Sequence, residues 1–271
     1  MGLGLDELDL SRRPPHGRES AASTREWILS TLGKRILEGY YREDTALPIE
    51  AELCAEFGVS RTVMREAVKM LTAKGLLISR QRGGTRVRAA SDWNRLDADV
   101  LSWMGELDPD PVFVRGLIEA RQAIEPAAAR LASMRSTSGD LARIEEAYLA
   151  MCAAAADAPL LQAAADVAFH VAILEASHNP VFAGLSKLIK QALADSFRLT
   201  NRMTESYARA LSAHGDVLEA IRLRQPDIAS ERMRVLVEIA SVDFRHHVEA
   251  LAASGQNPGL AKQLLQTWRA T

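Results

Sequence analysis

Only two cysteines, Cys54 and Cys152, occur in 271 residues, and they lack the CxxC spacing of a metal knuckle, so neither a disulfide framework nor a thiolate metal site is expected. Cys54 lies beside an apolar helical stripe and reads as a small core residue. No apolar run approaches the roughly 18 residues needed to span a bilayer. Near the amino terminus stand Asp6, Glu7 and Asp9, where a secretion signal would carry a basic flank and a hydrophobic stretch. These absences together predict a cytoplasmic protein with no membrane partner. From Pro111 to Ala253 there are few runs of β-branched residues, which removes the usual material of a sheet.

What is present is 48% apolar, enough for a sizeable core, in a chain longer than the usual single domain. The formal net charge of −2 conceals a sharp segregation. Between Gly58 and Ala90 stand Arg61, Arg65, Lys69, Lys74, Arg80, Arg82, Arg86 and Arg88 against Glu66 alone, a local balance of +7. The same region has a readable order. A helix from Glu50 to Phe57 carries Leu53 and Phe57 on one face, Gly58 supplies the backbone on which such a helix stops, and Ser60 can cap the next helix. There Met64, Ala67, Val68 and Leu71 follow the i, i+3, i+4, i+7 pattern of a buried stripe. Arg61, Arg65 and Lys69 form the neighbouring stripe, where mutual repulsion is best relieved by a polyanion. Gly83-Gly84, between Leu76-Leu77-Ile78 and Val87, suits the tip of a two-strand wing. A basic helix-turn-helix with a wing is the footprint of double-stranded DNA binding.

On these residues the chain resembles the GntR family of bacterial transcription regulators. The matching segments are Leu47-Pro48, Glu52-Leu53, Phe57-Gly58-Val59-Ser60-Arg61, Arg65-Glu66-Ala67, Lys74-Gly75-Leu76, and Arg82-Gly83 with Thr85 and Val87. The resemblance implies contacts to bases or phosphates from Ser60, Arg61, Thr62 and Arg65, with Arg82 and Gly83 acting from the wing. It further implies a homodimer on a palindromic operator. Ala51 departs from the pattern by replacing a usual arginine, so a relative's operator sequence does not transfer directly.

The predicted fold is mainly α: a winged helix-turn-helix followed by an all-α bundle. Expected boundaries are a mobile leader over 1–22, the reader over 23–90, a docked linker over 91–109, the bundle over 110–252 and a tail over 253–271. The linker holds Trp93, Leu96, Leu101 and Trp103 where a free tether would have glycine and serine; their burial would either couple the two halves or complete a core. Asp157-Ala158-Pro159, Asn179-Pro180 and Gln225-Pro226 cut the bundle into helices.

Within the bundle the polar exceptions to the apolar stripes are the informative residues. His170 lies with Val167, Val171 and Leu174, one turn after Asp166, and His214 interrupts a stripe of Leu211, Val217, Leu218 and Ile221. Such groups are costly to bury without partners, so mutual hydrogen bonds or a metal would satisfy them. Spacing alone leaves both open.

Asp166 to His170, followed by Ala176-Ser177-His178-Asn179-Pro180, is similar to the FCD effector domain of the FadR subfamily. That resemblance implies a divalent metal held by an aspartate and three histidines, but Leu236 stands where the third histidine is usual. Asp166, His170 and His214 could still hold zinc if water or an effector carboxylate completed the shell. His246 and His247, about three turns further along the helix, do not substitute. The segment around Arg121 is similar to that in which FCD proteins present an arginine to the ligand, which suits an organic acid; a surface salt bridge to Glu125 is the alternative. Arg198, Asn201 and Arg202 are further candidates for effector contacts. The linker, the Glu50 to Cys54 segment and the missing histidine together resemble regulators of sugar-acid catabolism, making an aldonate the first effector class and acyl-CoA the second. A metal-dependent enzyme lacks a placed general base, and a purely architectural DNA binder leaves the inward polar cluster without purpose.

Overall fold

The computed structural model describes residues 21–80, 84–154, 158–200 and 204–254, which fall into two compact units dividing between Leu107 and Asp108. Among the described residues no helix is long and apolar enough to cross a membrane.

In the first unit, α1 (Ala21–Leu37) begins inside the segment expected as leader, while residues 1–20 lie outside the described ones. It packs on α3 (Arg61–Ala73), which follows α2 (Glu50–Phe57). The break between α2 and α3 forms as its residues dictate. Gly58 takes the left-handed conformation at φ 63°, and the Ser60 hydroxyl accepts from the Val63 amide at 3.4 Å. Leu53, Phe57, Met64, Ala67 and Leu71 are buried with Ile28, Leu32 and Ile36 of α1. The strands β1 (Leu77–Arg80) and β2 (Gly84–Val87) pair antiparallel, with Leu77 opposite Val87 and Arg80 opposite Gly84. They make the expected wing, whose tip, 81–83, is outside the described residues.

The linker segment also belongs to this unit. After a 3-10 turn at Ala90–Asp92, α4 (Ala98–Glu106) is capped by Asp97, which accepts from the amides of Asp99 and Val100. Lys74, at the end of α3, reaches Asp97 at 2.8 Å and Asp99 at 2.6 Å. Trp103 fits against Gly33, where an added Cβ would meet the indole ring at 2.5 Å. Leu101 and Trp103 are buried and Trp93 is half-buried, but Leu96 is 60% exposed. Its expected burial is therefore corrected. The turn that brings Asp97 to the α4 amides leaves the preceding side chain facing solvent.

The second unit is all α: α5 (Pro111–Arg135), α6 (Ser138–Ala153), α7 (Pro159–Ala176), the short α8 (Pro180–Gly184), α9 (Ser186–Thr200), α10 (Thr204–Arg222) and α11 (Pro226–Ala253). Pro159, Pro180 and Pro226 each sit in the first turn of a helix, where a missing N–H costs nothing and the fixed φ favours the start. The principal neighbours are α5 with α11, α6 with α7, and α10 with α11; α7 also contacts α5 and α9. The core gathers Ala128 and Ala132 of α5, Phe169 and Ile173 of α7, Val217 and Ile221 of α10, and Met233, Leu236 and Val237 of α11. Leu236 is thus a packing residue, as its stripe suggests. Val171 is a correction: it is only half-buried, and the inward face of α7 runs through Asp166, Phe169, His170 and Ile173.

Candidate DNA interface and buried polar centre

Ser60, which caps α3, and Arg61, Thr62 and Arg65 of its first two turns are displayed together, all exposed. Burial of Met64, Ala67 and Leu71 against α1 fixes the rotation of the helix and so aims the opposite face outward. The Arg65 Nε donates to Glu50 Oε2 on α2 at 2.8 Å, with 70% of its side chain still accessible. Arg61 and Lys69 have no ion pair among the described residues. Arg82 and Gly83 lie outside the described residues.

In the bundle, three helices meet at a polar centre. Asp166 and His170 come from α7 and His214 from α10, each 2% exposed, with one ligand-type atom from each residue lying within 4.8 Å of the others. The i, i+4 spacing puts the first two on one face of α7. The Nδ1–H of His170 donates to Glu125 Oε2 at 2.5 Å, and His214 Nδ1–H donates to the Ala210 carbonyl at 2.6 Å. Both rings therefore direct Nε2 toward the centre. His214 Nε2 lies 3.0 Å from Asp166 Oδ1, yet without the alignment of a hydrogen bond. Burial lowers the His214 pKa and outweighs the opposing pull of Asp166, so the imidazole is neutral and its lone pair faces a carboxylate. A cation between two such acceptors would turn repulsion into attraction. The donor set, two imidazole nitrogens and a carboxylate with their tautomers fixed from behind, fits zinc with an open position.

Arg121 closes the centre from α5. Its Nε donates to Glu125 Oε1 at 2.6 Å, and Nη2 lies 3.4 Å from His170 Nε2. The expected alternative, a surface salt bridge, is corrected: the pair forms, but Arg121 is 2% and Glu125 1% exposed. Burial raises the Glu125 pKa, yet Arg121 and His170 overcome this and hold it at about 2. Arg121 Nη1 is buried and has no hydrogen-bond partner. Glu125 was not anticipated as a site residue. Its signal was available, since Arg121 and Glu125 fall on the same α5 stripe as Val114, Leu117, Ile118, Ala128 and Ala132. Arg198 lies on α9 with its side chain outside the described residues, as are Asn201 and Arg202.

The model for bacterial regulatory proteins of the gntR family matches residues 24–87, and that for the FCD domain matches residues 116–239. The galactonate operon transcriptional repressor of Escherichia coli (strain K12) is 38% identical over 211 residues, covering 78% of this chain and 92% of that protein. The chain belongs to the GntR family. A second relative of this GntR regulator, the Glc operon transcriptional activator of the same strain, is 27% identical over 218 residues, 77% of this chain and 84% of that one. The solved structure of Lar from Listeria monocytogenes shares the fold at a TM-score of 0.57 and 17% identity, covering 86% of this chain and 99% of that one. The GntR assignment makes the protein a DNA-binding transcriptional regulator rather than an enzyme, with an FCD domain of the kind known to bind metals.

Proposed function

We propose that this GntR regulator is a cytoplasmic homodimeric repressor of a palindromic operator whose binding is modulated by a small organic acid, a sugar acid of the aldonate type first. The observation that carries the reading is the unpartnered Nη1 of Arg121, buried beside Asp166, His170 and His214. A buried guanidinium N–H left without an acceptor costs about 1 to 3 kcal/mol, which an incoming carboxylate recovers. Similarity to a galactonate operon repressor supports the ligand class.

Each residue of the centre has a role in this reading. Arg121 binds one carboxylate oxygen of the effector. Asp166, His170 and His214 hold a divalent ion, zinc by ligand type, which supplies a Lewis-acidic anchor for the same acid. Glu125 fixes the His170 tautomer and tethers Arg121, coupling the two halves of the centre. On the reader, Arg61 and Arg65 face the major groove with Ser60 and Thr62 at its edge, and Arg82 and Gly83 approach from the wing. Release of Arg65 from Glu50 accompanies its engagement with DNA.

A thermal-shift panel of aldonic, aldaric and simple hydroxy acids, run with zinc and again after chelation, tests this. A shift for one acid that vanishes on chelation is expected, because a ligand stabilises only the state that binds it. A shift that survives chelation assigns the acid to Arg121 alone. The absence of a shift for every acid refutes the organic-acid reading and turns the search to acyl-CoA.

A further inference from the structure

We propose that the acidic segment 3–10 of this chain docks in a cleft of its own reader and competes there with DNA. The proposal rests on the reader face assigned above and adds a regulator of it. The cleft, of about 360 Å³, opens between the start of α2, the Arg65 side of α3 and the two strands of the wing. Leu47, Pro48, Leu53 and Val68 give it an apolar floor, while Arg65, Lys69, Ser79 and Thr85 give it a polar wall. Glu50, the one carboxylate among its described lining residues, already receives the Arg65 Nε. Lys69 and the outer edge of the guanidinium are left to meet an incoming anion.

That lining suits an occupant with both carboxylates and alkyl side chains. A phosphate backbone supplies the negative charge but leaves the apolar floor uncovered. The first ten residues of the chain supply both, because Leu3, Leu5, Leu8 and Leu10 are interleaved with Asp6, Glu7 and Asp9, and no lysine or arginine intervenes. Their charge of −3 faces the +7 of the stretch between Gly58 and Ala90.

The segment is also placed to reach the cleft. It belongs to the same unit and leads into α1, which packs on α3. From Leu10 to Ala21 the chain spans up to about 35 Å when extended, and a reader of this size is roughly 30 Å across. Tethering raises the effective concentration of the segment to about the millimolar range, so a weak contact is enough to fill the cleft. Occupancy for about nine-tenths of the time weakens DNA binding about tenfold. The segment thereby sets the protein concentration at which the operator fills.

The test uses the full-length protein in three forms: wild type, Asp6→Asn/Glu7→Gln/Asp9→Asn, and Leu5→Ser/Leu8→Ser. Circular dichroism and thermal midpoints verify that the folded units are unchanged. Each form is titrated against a duplex carrying the operator that the wild type selects from random sequence, and against a scrambled duplex. Both variants are expected to bind the two duplexes about tenfold more tightly than the wild type. A synthetic peptide of residues 1–11, added at millimolar concentration, is expected to reverse that gain. If only the charge variant tightens, the carboxylates repel DNA without seating on the apolar floor, and the docking is overturned. Equal affinity for all three forms overturns it too, as does weaker binding by the variants, which would make the segment a DNA contact. Those results leave the reader face standing. Failure of every form to bind either duplex refutes the reader face, and the proposal with it.

Discussion

The Arg121–Glu125 pair offers the most demanding test of the buried centre. Both residues are at most 2% exposed and lie on one turn of α5, joined at 2.6 Å, while the second Glu125 oxygen accepts from His170. Two charges at about 4 Å attract by about 4 kcal/mol at an effective dielectric near 20, and most of that offsets their desolvation. Removing one partner leaves the other charge buried and uncompensated. Arg121→Leu is therefore expected to cost about 3 to 5 kcal/mol. Glu125→Leu strands both the guanidinium and the His170 Nδ1–H, so it should be the worse of the two by about 1 kcal/mol or more. The double variant replaces the ion pair by apolar groups and retains only the loss at His170, so it should be destabilised by about 1 to 3 kcal/mol, less than either single change. At about 2 to 4 °C per kcal/mol, Glu125→Leu should lower the thermal midpoint by about 10 °C or more. Urea and thermal unfolding followed by far-ultraviolet circular dichroism at pH 7 would measure the cycle. Additive effects, or a Glu125→Leu variant within about 1 kcal/mol of the wild type, would refute the pairing.

Further outcomes follow from other parts of the molecule. Arg65→Ala should weaken operator binding by about 1 to 3 kcal/mol in a titration, with little change on scrambled DNA; equal loss on both would reduce Arg65 to a phosphate contact. Gly33→Ala would drive a methyl group into Trp103, so it should cost about 1 to 3 kcal/mol in spite of alanine's better helix propensity, with partial recovery in Trp103→Leu. A raised midpoint for Gly33→Ala would show that α4 does not seat there. Leu236→His restores the ligand that the family resemblance implies and should tighten zinc binding about tenfold or more in a chelator competition; unchanged affinity would place residue 236 away from the centre. The pKa of Asp140, the capping-box partner of Thr137 in the first turn of α6, is pushed up by burial but pulled further down by the Thr137 amide and hydroxyl and by His178. Its folded pKa lies below its unfolded one, so the stability it contributes is complete above about pH 4 and is lost as pH falls below that. Asp140→Asn should flatten this acid limb of the midpoint-against-pH curve, and an unchanged limb would assign acid sensitivity elsewhere.

Much of the fold is legible in the sequence because its signals are local. Gly58 and Ser60 act on the residues next to them, Pro159, Pro180 and Pro226 each open the helix in which they stand, and the stripes of α2 and α3 need only a count of three and four. The spacing of Asp166 and His170 likewise puts both on one face without reference to anything distant. Where sequence reasoning failed, the deciding partner was far along the chain. Whether Val171 faces in or out depends on which helices flank α7, and Asp97, whose cap turns Leu96 outward, is held by Lys74 across 23 residues. An i, i+4 arginine and glutamate look the same on a surface as in a core; only the packing of α7 and α10 against α5 buries them and brings His170 to Glu125 across 45 residues. The amino-acid sequence by itself determined the helices, the wing, the basic reader and the placing of Asp166 and His170 on one face, since each depends on neighbours within a turn or two. Tertiary structure alone decided that Arg121 and Glu125 belong to the polar centre, because burial and ring orientation depend on long-range packing that no local spacing encodes.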